Sequence, residues 1–335
     1  MTDYFRPLLQ TGAVRPADAM LVAGGWSWCS HAEHLTRAGS SEIVPITDLP
    51  DDIRRRLSAP RPDIAGLPMT RPSLMGILNV TPDSFSDGGL HDNAEAALRH
   101  AQRMVADGAD IIDVGGESTR PGAAEIAPET EIARTRPAIA AMRAAGLGAA
   151  ISIDTRKAAV AEASGADLIN DVSGFTFDAG LADFAAASGL PVCIMHSQGD
   201  PETMQNDPRY DHVLLDVYDW LSARITALEA KGIPRTRMLV DPGIGFGKTF
   251  DHNLDLLQRI SLFHGLGTAL LLGVSRKGFI GRIGNAPEAH KRAPGSIAVA
   301  LAAIGQGVQV IRAHDVAEHA QALALWQACM ASHKP

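Results

Sequence analysis

No stretch of this chain is apolar for long enough to cross a membrane. The longest run of small apolar residues, IAVALAAI at 297–304, falls far short of the roughly 20 residues a bilayer span requires. Excess positive charge is also missing: 30 Lys and Arg stand against 38 Asp and Glu, a formal net charge of −8. That balance excludes a broad nucleic-acid or anionic-membrane surface, although a few converging basic groups would still hold a small anion. Cysteine is scarce. Cys29, Cys193 and Cys329 are odd in number and lack metal-like spacing, so they suit a reducing cytosol better than a disulfide framework. The opening MTDYFRPLLQ has early charges and no apolar core, so no signal peptide is expected and a cytoplasmic location follows by default. HExxH, CxxC pairs and a nucleophile elbow are all absent, which leaves zinc catalysis and triad hydrolysis without support.

What the chain does have is a rhythm. Short apolar stretches recur at 74–80, 110–116, 149–155, 167–173, 191–196, 238–243, 269–275 and 308–315, and helix-like segments separate nearly all of them. A continuous apolar run followed by a helix is the pattern of a parallel strand buried on both faces. Eight such units in roughly 250 residues match the size of an α/β, (β/α)8 TIM barrel. Helices are expected near 92–107, 129–145, 156–164, 179–188, 210–231, 251–264, 294–305 and 315–330. Gly108, Gly146, Gly165, Gly189, Gly232, Gly265 and Gly305 fall at or near their ends, where a left-handed cap favours glycine. Barrels of this kind do their chemistry at the C-terminal ends of the strands. Those ends carry Asn79, Asp113, Asp154, Asn170, His196, Asp241, Ser275, Arg312 and His314.

Residues 1–70 stand outside the rhythm, and the barrel is expected to occupy 71–335. Pro45, Pro50, Pro60, Pro62, Pro68 and Pro72 punctuate the approach to the first barrel strand, which reads as a small N-terminal cap followed by an irregular linker. Trp26 and Trp28 are expected to pack the cap onto the barrel. His31 and His34 lack a carboxylate or thiol to complete a metal set and read as surface histidines.

Several segments point to chemistry. The long polar connection NVTPDSFSDGG after the first strand and GGESTRPG after the second would fold over a substrate and exclude water. Asp154 and Asp241 end apolar strands, where a carboxylate must find a donor or bear a desolvation cost. With Asn170 they would read the amide-like edge of a nitrogen heterocycle. Arg276 and Lys277 follow the seventh strand, and loops after strands seven and eight often bind phosphate in such barrels. Arg312 and His314 are spaced i, i+2 at the end of the eighth, so a strand would turn both to one face. PGIGFGKT at 242–249 nearly matches a phosphate loop, but proline replaces its first glycine and the segment is one of eight equivalent units. Its glycines instead suit a pocket wall, with Phe246 against a flat ligand.

Together MGILNVTPDSFSDGG, DIIDVGGESTRPGA, ISIDT, INDVSGF, CIMHSQG, LVDPGIGFGK, GVSRKGFIG and VIRAHDV make the chain resemble the dihydropteroate synthase family across residues 74–326. The resemblance implies a transferase that joins p-aminobenzoate to a dihydropterin methyl diphosphate and releases pyrophosphate. It implies pterin contacts at Asp154, Asn170, Asp241 and Lys277, and anion contacts at Arg312 and His314. Mg2+ is expected at Asn79. Thr119, Arg120, Pro121, Phe246 and Ser275 are expected to border the aminobenzoate, with Asp154, Lys277 and Arg312 carrying the catalysis. A sulfonamide with a free aromatic amine would compete for that pocket. Small-molecule substrates and a homodimer are the expected partners. A pterin-dependent methyltransferase would share the Asp/Asn set but would not need the NVTPDSFSDGG loop, the SRK segment or the RAH pair. A silent pterin-binding relative is separated by turnover, pyrophosphate release that depends on p-aminobenzoate.

Overall fold

The computed structural model describes residues 3–81, 90–118, 123–199 and 203–330. Eight parallel strands close a barrel in sequence order: β6 (Ser73–Asn79), β7 (Ile111–Gly115), β8 (Ala150–Asp154), β9 (Leu168–Asp171), β10 (Val192–Met195), β11 (Met238–Asp241), β12 (Ala269–Gly273) and β13 (Val310–Ala313). β13 pairs with β6 to complete the ring. Outside lie α2 (Leu90–Ala106), α3 (Pro128–Ala144), α4 (Ala158–Ser164), α5 (Ala179–Ser188), α6 (Val213–Ala230), α7 (Phe250–Gln258), α9 (Ala293–Gly305) and α10 (Val316–Met330). A short α8 (Gly278–Ile283) precedes α9, and a 3-10 turn at Ile260–Leu266 takes over where α7 stops.

Both faces of the strands are buried, which is why they read as unbroken apolar runs. Outward residues such as Ile112, Ile151, Ile169, Ile194, Val240 and Ile311 join the helices in the main core. The inward set at the N-terminal end is separate and apolar: Met75, Ile111, Leu168, Cys193, Leu239, Leu271 and Val310. Local signals fix the helix ends. Pro128 starts α3, Thr249 and His252 form a capping box on α7, and the Asp178 side chain accepts from Gly180 N at the start of α5. Gly108, Gly146, Gly165, Gly189 and Gly232 take the expected left-handed conformation, whereas Gly265 and Gly305 remain inside their turns and Gly267 and Gly307 take it instead.

The N-terminal segment has a core of its own. β1 (Asp3–Pro7), β4 (His31–Thr36) and β5 (Ser41–Pro45) form an antiparallel sheet. With the β2 (Met20–Leu21) and β3 (Trp28–Cys29) pair and α1 (Asp51–Ser58), they enclose Val22, Cys29, Ala32, Ile46 and Leu57. This unit is stitched to the barrel. Tyr4 Oη donates to Asp219 at 2.8 Å, Trp26 Nε1 to the Ile304 carbonyl at 2.9 Å, and Arg61 to the carbonyls of Thr268 and His264, both at 3.0 Å. Trp28 stays within the extension, its Nε1 donating to Gly12 O.

The expected irregular linker is corrected by the fold. Ile64 and Leu67 bridge in a tight turn, and Ile64 and Met69 pack with the inward side chains of the barrel strands. Residues 64–69 therefore close the floor of the barrel. Prolines stop regular structure without revealing where the apolar residues between them go.

Candidate active site at the barrel mouth

Side-chain alternation explains why the mouth is polar. Two residues beyond each apolar inward position comes the next inward one: Ile111 gives Asp113, Leu168 gives Asn170, Leu239 gives Asp241, and Val310 gives Arg312. Pairing then levels them. Asp154 stands between Gly115 and Asn170, Asp241 beside Met195, and Arg312 beside Gly273. Gly273 lies against both neighbours: a Cβ there would be 3.6 Å from Asp241 Oδ2 and 3.9 Å from Arg312 Cδ, ordinary contact distances.

Arg312 bridges the two halves of this ring. Its Nε donates to Asp113 Oδ2 at 2.6 Å and its Nη2 to Asp154 Oδ2 at 2.7 Å, while Asn170 Nδ2 donates to the same Asp113 oxygen at 3.1 Å. Burial raises the Asp154 carboxyl above its ordinary value; the guanidinium opposes this and Asp113 adds to it. Burial also disfavours charge on Arg312, but Asp113 and Asp154 more than offset it and hold the cation. Burial raises Asp241, against the Gly243 N–H and the charges of Lys277 and Lys248. Asp113 Oδ1, Asp154 Oδ1 and Ser152 Oγ are buried and have no hydrogen-bond partner among the described residues. Each such atom costs about 1–3 kcal/mol. Three in one polar chamber are suited to a ligand bearing N–H and C=O groups.

The expected residues of the later strands also converge. Phe246, on the loop after β11, lies under the Lys277 ammonium, which is 4.2 Å from its ring centroid. Ser275 Oγ meets His314 twice, at its backbone N (3.1 Å) and at Nδ1 (3.0 Å). Arg276 does not join them: its guanidinium pairs with Asp315, Nε at 3.0 Å from one carboxylate oxygen. The suspected phosphate loop binds its own protein. Gly243 N donates to Asp241, Gly245 N to Asn253, and Lys248 is buried with its ammonium 2.9 Å from His196 Nδ1. Burial pushes Lys248 down to about 7. Asp113 was named as a strand end but given no role, and Lys248 was given none. The two-residue step from Ile111 to Asp113 was the available signal for the first; nothing in the sequence shows which way Lys248 turns.

Thr119, Arg120 and Pro121, with most of the NVTPDSFSDGG connection, lie outside the described residues. The base of the Thr119 loop is held by buried charges. Glu117 accepts from Ile126 N at 2.9 Å and from Arg156 and Lys157 at 3.0 Å each, and Lys157 also donates to Ile126 O at 2.7 Å and Glu131 at 2.9 Å. Asn79 ends β6 opposite Gly115. A Cβ on Gly115 would lie 3.5 Å from Asn79 Oδ1 and 3.6 Å from Asp154 Oδ2, so both side chains lie beside Gly115. No cluster of three His, Cys, Asp or Glu residues able to hold a metal occurs among the described residues.

Residues 75–314 match the model of a family described as pterin binding enzyme. The dihydropteroate synthase of Escherichia coli K12 is 45% identical over 269 residues, covering 79% of this chain and 94% of that relative. A Yersinia pestis dihydropteroate synthase, solved with a sulfonamide drug, is similar at a TM-score of 0.74 and 46% identity, covering 79% of this chain and 97% of the other. The Xanthomonas albilineans enzyme with 4-aminobenzoic acid gives a TM-score of 0.74 at 42% identity, covering 81% and 98%.

Proposed function

This chain belongs to the pterin-binding enzyme family, and we propose that it catalyses the dihydropteroate synthase reaction of folate synthesis, with its site at the barrel mouth. p-Aminobenzoate condenses with (7,8-dihydropterin-6-yl)methyl diphosphate to give dihydropteroate and pyrophosphate. The amine nitrogen bonds to the exocyclic methylene carbon, the bond from that carbon to the diphosphate oxygen breaks, and one amine proton is lost. No enzyme nucleophile is required. The observation that carries the reading is the buried chamber of Asp113, Asp154, Asn170 and Arg312, in which one oxygen of each carboxylate has no hydrogen-bond partner among the described residues.

In this reading Asp154, Asn170, Asp241 and Lys277 hold the pterin, and the Asp154 carboxylate lies near the methylene carbon as positive charge develops. Arg312 and His314 serve the diphosphate side, where cations make pyrophosphate a better leaving group. Arg312, tied to two carboxylates, also brings compensating charge to the chamber. Thr119, Arg120, Pro121, Phe246 and Ser275 border the aminobenzoate, so a sulfonamide would compete there. Asn79 Oδ1 is a hard oxygen donor at the mouth, beside Gly115 and Asp154, of the kind Mg2+ takes together with phosphate oxygens. When bound, the ion would supply further neutralisation of the leaving group. Buried thiols at Cys29 and Cys193 suit a cytoplasmic setting, and no helix among the described residues is long and apolar enough to cross a membrane. A homodimer through the helical exterior completes the proposal.

The test is pyrophosphate release by the purified chain with both substrates. Release that requires p-aminobenzoate and falls on chelation of Mg2+ supports the proposal. Release indifferent to p-aminobenzoate would sink it. Asn79→Ala should raise the Mg2+ concentration needed for half-maximal rate; an unchanged metal response removes Asn79 from the proposal.

A further inference from the structure

The lysine of the near-phosphate-loop PGIGFGKT has a different task from the one its motif suggests. The backbone of residues 243–247 lies directly against the segment that follows β10. A Cβ on Gly243 would sit 1.8 Å from the His196 carbonyl oxygen, and one on Gly247 would sit 2.4 Å from that of Gln198. Both glycines also have positive φ, 69° and 61°. Lys248 then turns back beneath the loop. Its Nζ lies 2.9 Å from His196 Nδ1, 3.0 Å from the Phe246 carbonyl oxygen and 3.4 Å from the His196 carbonyl oxygen. The His196 ring is in turn held edge-on by Trp220, centroids 5.0 Å apart. One buried ammonium therefore joins the end of β10 to the backbone of Phe246, and the Phe246 ring supports Lys277.

We propose that Lys248 is a positioning residue for the p-aminobenzoate side of the reaction, holding the Phe246 backbone directly and tying it to His196. This rests on the proposed site described above. The hydrogen bonds of Lys248 go to His196 and Phe246, and none reaches Asp154, Asn170 or Asp241 among the described residues, although its charge acts on Asp241. Its loss should therefore fall on p-aminobenzoate more than on the pterin. The ammonium donates to the Phe246 carbonyl, and replacing it with an apolar chain of similar length removes three contacts at once.

Lys248→Met should raise KM for p-aminobenzoate about tenfold, the effect of about 1.4 kcal/mol of lost positioning. Binding of 6-hydroxymethylpterin alone, by calorimetry, should stay within about threefold of the unaltered protein. His196→Asn removes the ring acceptor and leaves both carbonyl contacts, so it should raise the same KM less. The double variant should match Lys248→Met rather than the product of the two effects. Equal weakening for both ligands, or a lower Tm with KM unchanged, would overturn the proposal. If Lys248→Met does not fold, His196→Asn decides by the same KM criterion. Failure of the unaltered protein to release pyrophosphate in response to p-aminobenzoate would refute the underlying reaction, a result distinct from either variant outcome.

Discussion

Along β7, β9, β11 and β13 the barrel changes character within two residues. At the floor the inward side chains are Ile111, Leu168, Leu239 and Val310, sealed by Ile64 and Met69 from the N-terminal segment. At the mouth, on the same faces of the same strands, they are Asp113, Asn170, Asp241 and Arg312. Apolar side chains fill the floor from both directions, with Ser73 Oγ beside Val310 the exception that lacks a hydrogen bond among the described residues. The mouth buries like charges close together and leaves Asp113 Oδ1 and Asp154 Oδ1 without partners among the described residues. One backbone frame thus carries two opposite tendencies: stability where the chain seals itself, and an energetic cost at the end that must receive something polar. The division predicts that mutations at the mouth and the floor will separate function from stability.

The largest expected effect is at the mouth. Asp154→Asn keeps shape but removes a carboxylate that burial already strains, so turnover should fall about 10³-fold. Its Tm should change less than its rate: burial disfavours the lost charge, but Arg312 keeps only Asp113 as a full carboxylate partner. Thermal unfolding alongside steady-state rates would check both. A fall in Tm with activity retained would mean that Asp154 serves the fold and not the reaction.

Next comes the floor. Met69 is fully buried, so Met69→Ala should cost about 2–5 kcal/mol in urea unfolding by leaving a cavity. KM for either substrate should not change at temperatures where the variant is folded. A large KM shift would show that floor and mouth are coupled, and the separation argued above would fail.

The two ends were not equally legible. The strands, their order and their polar ends follow from apolar runs of the right length, because a strand buried on both faces has little alternative. Arg312 was recognisable from its i, i+2 spacing with His314, although its two carboxylate partners come from strands distant in sequence. Asp113 was visible as a strand end, but its role depends on meeting Arg312 across the barrel, which no local pattern contains. Phe246 and Lys277 likewise meet only because β11 and β12 are neighbours. The floor was hidden for a different reason. Ile64, Leu67 and Met69 sit among prolines, which mark a break in regular structure and say nothing of tertiary destination. The surplus of apolar residues in a supposed linker was the available clue.

The smallest expected effect lies at the seam between extension and barrel, where acid acts on His264. This residue is fully buried, its Nε2 lies 2.9 Å from the Gln306 carbonyl, and its own carbonyl accepts from Arg61 of the extension. Burial lowers its pKa to about 4; the Gln306 carbonyl works the other way and Arg61 adds to the lowering. Because the folded value lies below the ordinary 6.5, the unfolded chain takes up the proton first as pH falls. The contribution is therefore intact above pH 6.5 and is lost progressively toward pH 4. Between pH 6.5 and 5 the loss should be about 2 kcal/mol. Buried carboxyls with raised values act in the opposite sense: Asp171, raised to about 6 by burial, is relieved by acid. The net pH profile mixes these signs, so a variant is needed to isolate the seam. His264→Gln, which keeps a donor for the Gln306 carbonyl, should flatten the acid loss in urea unfolding while leaving substrate KM values at neutral pH unchanged. An acid limb that persists unaltered in this variant would place the pH sensitivity elsewhere and remove His264 from the seam's account.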